Sequence, residues 1–146
     1  MSDHKNASYI SAKESRKITR FNRRVTKKLE HEREAAGKDP SLYTTVMKDP
    51  NNVVEFDNVC TYFFADNGVV KAVDGVNFAV PKCSTVGVVG ESGCGKSVTS
   101  LSLMQLLQRP SGQTVGGQIR FNLGDGTAYD IVKTPTSKMQ EIRGNK

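Results

Sequence analysis

A chain of 146 residues, with 36% hydrophobic and 25% charged residues, is long enough to bury a core without disulfides or structural metals. A mean hydropathy of −0.46, with no apolar run near the ~20 residues of a spanning helix, excludes an integral helical membrane protein. Met1 to Arg24 is polar and basic without an apolar signal region, which points to the cytoplasm, and Cys60, Cys83 and Cys94 form no C-x-x-C pair, so free thiols are expected.

The net charge of +6 is unevenly spread: residues 1–50 hold 12 Lys and Arg against 7 Asp and Glu, and residues 51–146 hold 9 against 8. This divides the chain into a basic extension, 1–50, and a nearly neutral domain, 51–146. Within the extension, Ser11-Ala12-Lys13-Glu14 has the form of a capping box, and few helix breakers follow before Gly37. A helix is therefore predicted over residues 12–36. Ile18, Phe21, Val25 and Leu29 would line one narrow stripe among many cations, so the arm suits an anionic membrane, a partner, or a solvated and partly frayed state. Asp39-Pro40 and Asp49-Pro50-Asn51-Asn52 then signal loops.

From Val53 onward short apolar runs predict strands at 53–64, 69–73 with 76–80, 85–89, 118–123 and 128–132, punctuated by Asp66-Asn67-Gly68, Pro81 and Gly124-Asp125-Gly126. A helix over 96–108, apolar on more than one face and therefore expected to be buried, interrupts them, and a short helix over 136–143 ends the series.

Gly90-Glu91-Ser92-Gly93-Cys94-Gly95-Lys96-Ser97 fits G-x-x-x-x-G-K-[ST], the phosphate-binding P-loop. Chance would yield roughly 0.015 such matches in a chain of this composition. Glycines let the backbone curl into a nest of N–H groups around phosphates at the positive end of a helix. Lys96 would reach the β and γ phosphates as a mobile charge, stabilising the transition state, and the Ser97 hydroxyl would complete a Mg²⁺ shell. Cys94, in that nest and beside Lys96, is a candidate reactive thiol.

The stretch from Val53 to Lys146 resembles the start of an ATP-binding cassette (ABC) ATPase. The run Val88-Val89-Gly90-Glu91-Ser92-Gly93-Cys94-Gly95-Lys96-Ser97-Val98-Thr99, leading into Leu101 to Leu107, is similar to the subunits that energise dipeptide and oligopeptide importers. Ala72-Val73-Asp74-Gly75-Val76-Asn77-Phe78 resembles the strand before the loop in that group. The resemblance implies an α/β P-loop NTPase fold: the N-terminal portion of the domain, with a mixed sheet, a buried P-loop helix and the basic helical arm in front. It implies ATP and Mg²⁺ as ligands and an adenine stacked on an aromatic upstream of the loop, with Phe63 aligning best and core packing as its alternative role. It further implies ATP hydrolysis for peptide import at the cytoplasmic face of the membrane. The expected partners are a second ATPase subunit, transmembrane permease subunits and, indirectly, a solute-binding protein, with no nucleic acid.

Lys82-Cys83-Ser84 departs from the family where a turn glycine followed by glutamate is usual, which predicts a strained turn. The glutamine loop, the L-S-G-G-Q signature, the Asp-Glu strand and the switch histidine are all missing. Pro110-Ser111-Gly112-Gln113 is no substitute, Asp130 is a poor Mg²⁺ aspartate, and His4 and His31 precede the loop. An N-terminal fragment of a longer protein is therefore expected, inactive in ATP turnover by itself and poorly soluble or molten. A GTPase or small-molecule kinase, or a nucleotide sensor whose arm grips RNA or lipid, are the alternative readings.

Overall fold

The computed structural model describes residues 11–124 and 126–145, so His4 and the Asp125 of the last turn signal lie outside the described residues. Helix α1 spans Ala12–Ala36 and opens with the expected capping box: Glu14 N–H donates to Ser11 Oγ, and the Glu14 carboxylate accepts from Ser11 N–H. A 3-10 turn at Pro40–Leu42 leads into a two-residue strand β1, Thr44–Thr45. Strands β2, Asn52–Ala65, and β3, Gly68–Pro81, form a long hairpin over the Asp66-Asn67 turn. Helix α2 covers Lys96–Leu103, strand β4 Gly112–Asn122, strand β5 Ala128–Asp130 and helix α3 Thr136–Asn145.

The five strands lie in the order β1-β5-β4-β2-β3, and every pairing is antiparallel. The expected mixed sheet is corrected on this point, because residues 84–89, which were to form the P-loop strand, carry no ladder at all. A strand flanked by βαβ crossovers needs neighbours on both edges and cover on both faces. Lacking these, Val86 (41%), Val88 (53%) and Val89 (93%) stand exposed.

The core forms where the sheet meets α3. Val54, Phe56, Val59, Ile119, Ile131, Met139 and Ile142 make one buried cluster, and Phe56 stacks on Phe78 with ring centroids 4.3 Å apart. Beside it, burial pushes the Glu55 carboxyl up. Hydrogen bonds from Asn52 and from the N–H groups of Asp49 and Lys48, with the Arg120 charge, outweigh that and hold it below the usual range. These bonds fasten the 46–50 loop to β2.

Helix α1 docks on the sheet, though not by its apolar stripe. Its buried residues are Asn22, Thr26, Arg33 and Ala36, while Phe21 is 62% exposed. Asn22 Nδ2 donates to Ala65 O at 2.8 Å and Thr19 Oγ1 to Asp66 Oδ1 at 2.9 Å. Glu30 and Arg33 both reach Gln113, and Arg109 pairs with Glu30. The hairpin turn presents backbone carbonyls rather than an apolar trough, so the polar flank of the helix is the face that finds partners.

Candidate functional site: the phosphate loop

Residues 84–91 carry no helix or strand, and the chain then turns through 92–95 into α2. Gly93 and Gly95 take left-handed conformations, with φ of 82° and 95°. At Gly95 a side chain is excluded twice over, because a Cβ there would also stand 2.5 Å from Ala72 O. The loop is thereby pressed against β3.

Gly95 caps α2 without any side-chain hydrogen bond, so the first N–H groups of the helix are left open at its positive end. Lys96 Nζ turns back over the loop. It donates to Gly90 O at 2.6 Å and to Glu91 O, and lies 3.3 Å from Cys94 Sγ. The ammonium is thus held over the middle of the curl by the loop's own carbonyls. Glu91, Ser92, Cys94 and Ser97 are exposed around it. A concave ring of backbone, one cation at its centre and an uncapped helix start together form a fitting cradle for phosphate oxygens.

The helix behind the loop corrects two expectations. It ends at Leu103 rather than 108, and it is not buried: only Thr99 and Ser102 are, while Leu101 (39%), Met104 (42%) and Leu106 (52%) face outward. It meets the sheet through a cluster of hydroxyls, with Thr61 Oγ1 2.8 Å from Ser102 Oγ and 3.2 Å from Thr114 Oγ1, and through half-buried Leu103, which packs against the core. Tertiary bonds stop it early. Gln105 adopts φ 50°, its side-chain amide donates to Ile131 O and to Thr134 O, and Arg143 donates from Nε to Met104 O and from Nη2 to Gln105 O.

Phe63 has a definite neighbour away from the loop: a Cβ on Gly112 would come within 2.8 Å of its Cε1. Tyr62, on the opposite face, donates from its hydroxyl to Asp74 at 2.7 Å. Asp130 is 1% exposed and bonds Gln118 and Val132 N–H, with burial pushing its carboxyl up. The departure at Lys82-Cys83-Ser84 does carry strain, since Cys83 is a non-glycine residue at φ 54°. Sequence reasoning missed Gln105 and Arg143 as anchors of the loop's helix, for which the local pattern holds no signal.

Residues 73–143 match the sequence model of the ABC transporter family. Among similar proteins, the probable peptide ABC transporter ATP-binding protein y4tR of Sinorhizobium fredii is 41% identical over 59% of this chain and 24% of its own length. The oligopeptide transport ATP-binding protein AppD of Bacillus subtilis is 41% identical over 66% of this chain and 28% of its own. The glutathione import ATP-binding protein GsiA of Pectobacterium atrosepticum is 36% identical over 68% of this chain and 16% of its own. The chain thus spans about a quarter, or less, of the length of these relatives. No solved structure matches. These matches favour a transporter ATPase over the GTPase, kinase and nucleic-acid readings. The loop geometry and the relatives agree: residues 73–143 match the ABC transporter family, and the chain is similar to ATP-binding proteins named for peptide and oligopeptide transport.

Proposed function

We propose that residues 90–97 bind ATP with Mg²⁺, and that the whole protein hydrolyses ATP to energise peptide import from the cytoplasmic face of a membrane. The single observation that carries the reading is the Lys96 ammonium held over the curled loop by Gly90 O and Glu91 O. When phosphates enter, that ammonium exchanges backbone carbonyls for phosphate oxygens, and the open N–H groups of α2 meet the same charge. Gly90, Glu91, Ser92, Gly93, Cys94 and Gly95 supply the backbone of the nest. Ser97, exposed in the first turn of α2, would hold the Mg²⁺, which supplies charge neutralisation between the β and γ oxygens.

Phosphoryl transfer is catalysed by alignment and charge from several directions, and residues 90–97 supply one of them. The other groups belong to partners and segments that the family relationship supports: a second ATPase subunit and transmembrane permease subunits, with a solute-binding protein acting at a distance. Among the described residues no helix is long and apolar enough to cross a membrane, so attachment through such permeases is the proposed mode. Residues 1–50 form, in this reading, an extension to the nucleotide-binding part, 51–146. The 146-residue chain is expected to release no phosphate above a Lys96→Ala blank.

An ATP titration tests the site. Lys96→Ala should weaken ATP binding by about one to two orders of magnitude, the worth of a charge-assisted contact, and an unchanged affinity rejects the assignment. Maleimide labelling of exposed Cys94 should be slowed by Mg-ATP. Phe63→Ala separates its two roles: weaker ATP binding with an unchanged thermal midpoint means an adenine stack, and a lowered midpoint without a binding loss means packing on Gly112.

A further inference from the structure

The outer side of α1 has no part in the nucleotide reading, yet it carries a dense run of exposed cations. Between positions 13 and 28 the helix carries eight Lys and Arg and one acid, Glu14, which is occupied by the cap. Arg16, Lys17, Arg20, Arg23, Arg24 and Lys27 are all exposed, and among the described residues none of them is ion-paired. The docking of the helix explains why they stand together. Asn22, Thr26 and Arg33 turn to the sheet, and Arg16, Arg20, Arg23, Arg24 and Lys27 line a groove of about 690 Å³ on the flank of the helix, closed on one side by the Ser15 and Thr19 contacts to Asp66.

Unneutralised cations packed one turn apart repel one another, so the surface gains free energy when anions approach. Phe21 stands at its rim with 62% of its surface exposed, next to Lys17 and Arg24 on the helix face. An apolar ring set among cations matches the boundary of a lipid bilayer, where head groups meet acyl chains. Nucleic acid fits less well. Asn22, the one amide on this part of the helix, is buried toward the sheet and cannot read a base edge, and a single rim aromatic makes no stacking platform.

We propose that α1 is a membrane-contact helix that binds anionic phospholipid through Lys17, Arg20 and Arg24, flanked by Arg16, Arg23 and Lys27, with Phe21 entering the head-group layer. The buried sheet contacts of Asn22 and Arg33 lie away from Lys17, Phe21 and Arg24, so the helix keeps them while bound. This assignment does not depend on nucleotide binding, so Lys96→Ala leaves it untouched.

The test is co-sedimentation of the protein with vesicles of phosphatidylglycerol and phosphatidylcholine, against vesicles of phosphatidylcholine alone. Binding is expected to the anionic vesicles only, and to weaken as salt rises from about 50 mM to about 500 mM. Replacing Arg16, Arg20, Arg23 and Arg24 by Gln should lower partitioning by on the order of a hundredfold, at several-fold per charge. Phe21→Ser should lower it several-fold at unchanged salt dependence. Lys71→Gln with Lys82→Gln, off this helix, should change it little, and far-UV circular dichroism confirms that each variant keeps its helix. Equal binding to neutral vesicles, no binding to either, or binding of a short single-stranded RNA in preference to anionic vesicles would each overturn the proposal.

Discussion

The hairpin with β4 and the phosphate loop with α2 both carry valine-rich runs and reach opposite states. In the first, Val59 and Ile119 are fully buried, and each strand of the β3-β2-β4 unit pairs with a sequence-distant or hairpin neighbour. In the second, Val88, Val89, Leu101 and Leu106 lie on the surface, and the helix is tied down by hydroxyls and by the Gln105 amide. Apolar content alone therefore does not make a core. An antiparallel sheet closes on itself within one stretch of chain, whereas a P-loop strand depends on neighbours brought from elsewhere.

The sharpest way to break this contrast is to truncate one side chain on each side of it. Ile119→Ala should cost about 2–5 kcal/mol, the worth of a fully buried aliphatic with its cavity. Val89→Ala should stay within about 0.5 kcal/mol. Urea unfolding of the two variants decides it, and equal losses would mean that the loop valines are buried in solution.

Gly95→Ala tests the loop from the backbone side. Forcing a side chain into φ 95° against Ala72 O should cost about 1–3 kcal/mol and disarrange the nest, so ATP affinity should fall even though no ligand group is removed. An alanine variant of wild-type affinity would show that the loop tolerates a different curl.

Two buried carboxylates sharpen the comparison by pH. Glu55 is held below its ordinary value, so its contribution is present above the usual glutamate range near 4.5 and is lost as pH falls through the lowered value. Asp130 is raised by burial, so its penalty appears as pH rises from the ordinary aspartate range toward the raised value. Glu55→Gln should then flatten the acid limb of a stability profile. Asp130→Asn should leave stability near pH 7 unchanged or higher. Thermal midpoints read across the acid range check both signs.

The smallest expected effect is at the turn that leads into the loop. Cys83 sits at φ 54°, where glycine is at ease, so Cys83→Gly should stabilise by up to about 1 kcal/mol, measured by denaturant midpoint. A loss instead would mean that the thiol makes a contact worth more than the strain.

Much of this was legible before any coordinates. The capping box placed α1 to the residue, since Ser11 and Glu14 satisfy each other's N–H groups within one turn. The Asp66-Asn67-Gly68 signal placed the hairpin, and the glycines of 90–95 marked the turn that leads into α2 at Lys96. What was missed has a common cause. The strand over 85–89 was inferred from its valines, and the helix over 96–108 from its apolar run. The first finds no strand neighbour among the described residues, and the second is cut short by bonds from Gln105 and Arg143 to segments distant in the chain.

By itself the sequence determined the features set by interactions three or four residues apart: caps, turns, strand alternation and the glycine spacing that lets a backbone wrap a phosphate. Only the tertiary structure decided that the sheet is antiparallel in the order β1-β5-β4-β2-β3, that Thr44–Thr45 joins it, that Phe63 covers Gly112, and that Arg33 turns to the sheet while Arg16, Arg20, Arg23 and Arg24 stay exposed. The physical reason is that a local pattern fixes which conformation a segment prefers, while burial and hydrogen-bond partners are a competition among all segments at once, settled by which surfaces meet.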